Sequence, residues 1–139
     1  MKILSGIQPS GDMHIGNYLG ATKRWEQLQN KHDSFFVVVD LHALTSVQDA
    51  SRLKKATRDK AIELLALGID PAKSTLFIQS HVPAHSELAW ILNTITPMAE
   101  LERMTQYKDK KQRQALNVNA GLFTYPALMA ADILLYNIE

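Results

Sequence analysis

The chain has 139 residues, 46% of them hydrophobic, with a formal net charge of +1 and no cysteine. That length and apolar fraction suit one globular unit with a real core, and the near-neutral charge excludes a surface given over wholly to nucleic acid, leaving room only for a regional basic patch. The missing cysteines exclude a disulfide frame and a thiolate metal site, and no run is long enough to span a membrane or to serve as a secretion signal, so a cytoplasmic protein with no membrane contact is expected.

The first element is a short apolar run, Ile3 and Leu4, expected as a strand. It leads into Gly6-Ile-Gln-Pro-Ser-Gly-Asp-Met-His-Ile-Gly-Asn-Tyr-Leu-Gly20, after which Tyr18, Ala21, Trp25 and Leu28 recur at helical spacing. The stretch therefore reads as a strand-to-helix turn. Its glycines at 6, 11, 16 and 20 permit close backbone approach, and the helix that follows turns unpaired N–H groups toward the turn, which is the outline of a phosphate site. The spacing is neither Gly-x-Gly-x-x-Gly nor the lysine-ending P-loop.

Ser34-Phe-Phe-Val-Val-Val-Asp40 is a continuous β-branched and aromatic run, the pattern of a parallel strand covered on both faces. Asp49 is a good N-cap for a helix that carries Leu53, Thr57, Ala61, Leu64 and Leu65 on one face and stops at Gly68. Thr75 to Gln79 is a third strand, and the helix after it places Leu88, Ile91, Leu92 and Ile95 at i, i+3, i+4 and i+7. Strand and helix alternate throughout, so the expected fold is α/β, a doubly wound, Rossmann-like parallel sheet with helices on both faces, cut short before its second half is complete. In such sheets ligands bind beyond the carboxyl ends of the strands, which directs attention to 6–11, 40–42 and 79–85.

His81 and His85 are four apart, but Pro83 stands between them and argues against a metal pair on one helix face; no protein metal site is expected. Trp90 lies off the apolar stripe of its helix and points to a second packing surface, within the chain with Met98 or against another subunit. Met98 to Gln106 suits a short helix. Tyr107-Lys-Asp-Lys-Lys-Gln-Arg113 carries four bases against one acid, and the segment 107–119 is expected to be a mobile basic loop. From Ala120 the chain is almost wholly apolar, a buried helix or helix pair that Pro126 starts or kinks. Asp132 is its only charge. Helical spacing puts Tyr125, Met129, Asp132 and Tyr136 on one face, and a buried carboxylate there needs a partner from elsewhere in the fold or from a ligand.

Three blocks, 6–21, 79–90 and 101–136, carry a resemblance that covers essentially the whole chain. His14-Ile-Gly-Asn17 resembles the His-Ile-Gly-His signature of class I aminoacyl-tRNA synthetases, with Asn17 in place of the second histidine. Gly6 to Gly11, Gly16 to Ala21, Leu101-Glu-Arg-Met-Thr-Gln-Tyr-Lys-Asp-Lys110 and Gly121 to Tyr136 are similar to the bacterial type of tryptophanyl-tRNA synthetase. That resemblance implies an enzyme that joins L-tryptophan to ATP, with Mg²⁺ on the phosphates, and passes the product to the tRNA for tryptophan, as a homodimer. It implies that Gln8, Pro9, Ser10, His14, Gly16, Asn17 and Gly20 meet ATP, and that His14, Asn17 and Lys110 serve the reacting phosphates. Leu4, Gly6, His42, Tyr125, Met129 and Asp132 would form the tryptophan pocket, with Asp132 accepting the indole N–H. Leu4 stands where related bacterial sequences often carry Phe.

One departure is plain: the family's second signature, Lys-Met-Ser-Lys-Ser, occurs nowhere in the sequence. Residues 1–139 are expected to be the amino-terminal part of a catalytic domain, without the anticodon-binding domain, and to turn over slowly or not at all. Two alternatives remain open at this point, a tyrosyl-tRNA synthetase-like activity and a non-catalytic nucleotide-binding module.

Overall fold

The computed structural model describes residues 1–46, 49–104 and 118–138. Three parallel strands, β1 (Lys2–Ile7), β2 (Asp33–Val38) and β3 (Thr75–Ile78), form one sheet in the order β1-β2-β3. Between them run α1 (Ile15–Asn17), a π-turn at Tyr18–Thr22, α2 (Lys23–Leu28), α3 (Asp40–Ala43) and α4 (Ala50–Ala66). After β3 come a 3₁₀ turn (Gln79–His81), α5 (Ala84–Ile95), α6 (Met98–Arg103) and α7 (Ala120–Leu134). Here the α/β expectation is met. Among the described strands the order does not reverse.

Register decides which residues share a face. Ile3 sits opposite Ser34, Ile7 opposite Val38, and Phe36 opposite Leu76, so these alternate positions point to one side of the sheet. There they meet Trp25, Leu64 and Ile69, with Trp25 stacked on Phe36 at 4.9 Å between ring centroids and 12° between planes. Leu4, Gly6, Phe35, Val37 and Phe77 point to the opposite side, where Tyr136 at the end of α7 leans on Phe35 and Phe77. Phe36, Val37 and Val38 are sealed on both sides, as the continuous apolar run of β2 requires.

Two buried polar side chains staple the layers. Gln29, in the turn after α2, donates to the Gly68 carbonyl at 2.8 Å and accepts from the Asp70 backbone at 2.9 Å, which pins the turn that Gly68 makes with φ +97°. Lys60, inward on α4, donates to the Gly11 carbonyl at 3.2 Å and to Glu63 at 2.6 Å, and so ties the glycine-rich turn to α4.

Several boundaries and faces differ from the sequence reading, each for a local reason. The π-turn slips the helical register, so Thr22 and Trp25 are buried while Tyr18, Ala21 and Leu28 are only half-buried. On α4 the inward face is Thr57, Lys60 and Leu64, and Leu65 is exposed. On α5 the inward residues are His85 and Ala89, with Leu88 and Leu92 half-buried, while Ile91 and Ile95 face outward. Trp90 is 71% exposed, so packing among the described residues does not account for it. Pro126 neither starts α7 nor splits it; it lies inside one continuous helix. Of the expected loop, 107–117 lies outside the described residues, and its end is fixed: Asn119 caps α7 by accepting from the Leu122 N–H and donates to the Thr45 carbonyl.

Candidate active site

The glycine-rich turn closes on itself through His14 and Asn17. His14 is the N-cap of α1; its Nδ1 accepts from the Asn17 backbone N–H at 3.4 Å, and the Asn17 Oδ1 accepts from the His14 backbone N–H at 3.2 Å. This reciprocal cap needs an acceptor at 17, which an amide oxygen supplies without carrying charge. A Cβ on Gly16 would stand 3.0 Å from the His14 ring, so a side chain there would press on the cap. With Nδ1 accepting, a neutral His14 carries its proton on Nε2, where it can donate outward.

The Pro9 side chain is fully buried. A Cβ on Gly20 would meet open space, so crowding within the chain does not explain that glycine. Ser10, His14 and Gly16 are exposed and Asn17 is half-buried. Lys110 lies outside the described residues.

The second half of the site is a cavity of about 390 Å³ at the carboxyl end of β1 and β2. Leu4 and Gly6 of β1, His42 of α3, and Tyr125, Met129 and Asp132 of α7 all line it. All six residues expected around the amino acid are thus brought together, and Gln8, from the nucleotide group, joins them. Gly6 is required by the floor: a Cβ there would lie 2.9 Å from Cγ1 of Val39 and 3.2 Å from Cγ1 of Val37.

Asp132 is 6% exposed and has partners within the fold. Its Oδ1 accepts from Nε2 of Gln79 at 2.7 Å and is 2.6 Å from Nδ1 of His85; its Oδ2 is 2.8 Å from Nε2 of His42. Burial alone would raise its pKa, but the hydrogen bonds from His42, His85 and Gln79 outweigh that and hold the carboxyl below its ordinary value. Burial raises the Tyr125 hydroxyl and, with the Asp132 charge behind it, the Tyr136 hydroxyl. A carboxylate offers about four acceptor positions. Among the described residues two contacts fall on Oδ1 and one on Oδ2.

Gln79, His85 and Tyr136 were not singled out as site residues by sequence reasoning. Gln79 falls just past the end of β3, where such sheets bind ligands, and that was a usable signal. His85 closes the same 79–85 stretch, but only the fold shows that Pro83 opens α5 and turns His85 inward. His81 stays exposed and does not join it. Among the described residues no group of three or more His, Asp or Glu could hold a metal.

A parallel sheet of this order carries a capped glycine-rich turn after β1 and a cavity that a buried carboxylate lines. The family model described as tRNA synthetases class I (W and Y) matches residues 1–139, and the chain belongs to that family. Its near relatives are tryptophanyl enzymes. It is 58% identical over 137 residues to the tryptophan–tRNA ligase of Corynebacterium efficiens, covering 97% of this chain and 40% of that protein. It is also similar to the tryptophanyl-tRNA synthetase of Campylobacter jejuni complexed with ADP and tryptophan: 49% identity, TM-score 0.95, 100% of this chain and 43% of that one. For the Mycoplasma pneumoniae tryptophanyl-tRNA synthetase the values are 46% identity and TM-score 0.89, with coverage of 97% and 39%. The chain thus spans less than half the length of these relatives.

Proposed function

We propose that this chain forms the tryptophan- and ATP-binding part of an enzyme that makes tryptophanyl-adenylate and transfers the aminoacyl group to the tRNA for tryptophan. The observation that carries this reading is a buried carboxylate, Asp132, lining the same 390 Å³ cavity as Tyr125 and Met129. A planar ring with one N–H and no acceptor fits it. A ring lacking the N–H would leave a buried acceptor unpaired, which is how such a site rejects phenylalanine.

In this reading Leu4, Gly6 and Met129 take the ring faces, Tyr125 meets the ammonium group, and His42 lies near the substrate carboxylate. Gln8, next to β1, stands between the amino-acid cavity and the nucleotide turn. Ser10, Gly16, Asn17 and Gly20 approach ATP, and His14 donates from Nε2 to the phosphates. The substrate carboxylate is itself the nucleophile: it bonds to the α-phosphorus as the bond to pyrophosphate breaks, so the protein aligns and stabilises without a covalent residue. Mg²⁺ arrives on the triphosphate, since the described residues offer it no cage of their own. Lys110 would reach the same phosphates. In the whole protein, the exposed Trp90, Ile95 and Met98 would pack against a second copy, and the setting would be the cytoplasm.

Calorimetric titration of wild type and Asp132→Asn with tryptophan, tyrosine and ATP tests this. Tryptophan is expected to bind wild type and to lose about 10- to 100-fold in the variant, the worth of a hydrogen bond to a charged group. ATP binding without tryptophan binding would replace the reading with a nucleotide-binding module, and a preference for tyrosine with the neighbouring specificity.

A further inference from the structure

Three donors on one buried carboxylate are more than neutralising it requires. Gln79 and His85 are 0% exposed, and both are committed to Oδ1. The Gln79 amide is turned so that its Nε2 meets Asp132, which leaves its Oε1 buried without a hydrogen-bond partner. Turning it over would set oxygen against oxygen. Behind His85 stands Tyr136, its hydroxyl 2.9 Å from Nε2, and the pair is wedged against Phe77, whose centroid lies 5.9 Å from the His85 ring and 5.6 Å from the Tyr136 ring. When the Tyr136 hydroxyl donates to Nε2, neutral His85 must carry its proton on Nδ1, facing Asp132. An all-apolar cluster would hold these elements together as well.

The geometry points to Gln79, His85 and Tyr136 as positioning residues for specificity: Gln79 and His85 fill both acceptor positions of Oδ1, Tyr136 holds the His85 ring in place from its Nε2 side, and only Oδ2 is left for the ligand's N–H. The inference rests on the tryptophan reading and adds to it. A carboxylate held this way cannot rotate to suit another ligand. It also gains nothing from an indole analogue that has no N–H.

The test compares tryptophan with benzothienylalanine, in which sulfur replaces the N–H, by titration of wild type, His85→Asn and Tyr136→Phe. The ratio of the two dissociation constants is expected to be about 30 in wild type, to fall about tenfold in His85→Asn and about threefold in Tyr136→Phe. A purely structural role would weaken both ligands alike and leave the ratio in place. Tyr136→Phe keeps the rings against Phe35 and Phe77, so folding is not at stake. Wild type that discriminates, with both variants discriminating equally well, overturns the inference alone. Wild type that does not distinguish the two compounds overturns the tryptophan reading and the inference with it.

Discussion

At the scale of single residues the site is made of exclusions. Gly6 excludes a methyl group, since Val37 and Val39 already occupy the space. Gly6→Ala is expected to cost about 1–3 kcal/mol in urea unfolding, as overpacking does, and to narrow the cavity enough to weaken tryptophan binding. Gly16 excludes one for the sake of the His14 cap. The identities of these residues were legible in the sequence, as was the isolation of Asp132 on an apolar helix. The origin of its partners was not, because hydrogen bonds that span 47, 53 and 90 residues leave no periodicity to read.

α2 docks through Trp25 on Phe36, and Trp25→Ala should cost about 3–5 kcal/mol of stability, read from the shift in chemical denaturation midpoint. α1 depends on its cap, and Asn17→Ala should remove roughly 1 kcal/mol by the same measurement. The order of elements, the Asp49 cap and the stop at Gly68 follow from hydrophobic period and turn chemistry, and the structure has them. Faces were read less well. The stripe on α5 reads as Leu88, Ile91, Leu92 and Ile95, yet hydrophobicity alone does not separate a core face from one left exposed, and the inward side holds His85 while Ile91 and Ile95 face outward. The π-turn at Tyr18–Thr22 adds a residue to a helical turn, a slip no 3.6-residue template contains.

For the molecule as a whole, Asp132 links stability to acidity. Its folded pKa lies below the ordinary 3.8, so its contribution is fully present above that value and is lost as pH falls through the lower, folded value. Thermal melts of wild type are therefore expected to decline steeply at the acid end, and Asp132→Asn to flatten that decline; equal slopes would remove Asp132 as the cause. Residues 1–139 alone, without the second signature, are expected to show little or no tryptophan-dependent pyrophosphate exchange, a measurement that full activity would contradict. Among the described residues β1 is an outer strand, yet its inner face floors the cavity with Leu4 and Gly6. Whatever polypeptide hydrogen-bonds along the free side of β1 therefore shares a wall with the occupant of that cavity. By thermodynamic reciprocity, filling the hollow and extending the sheet must favour or oppose each other to the same degree.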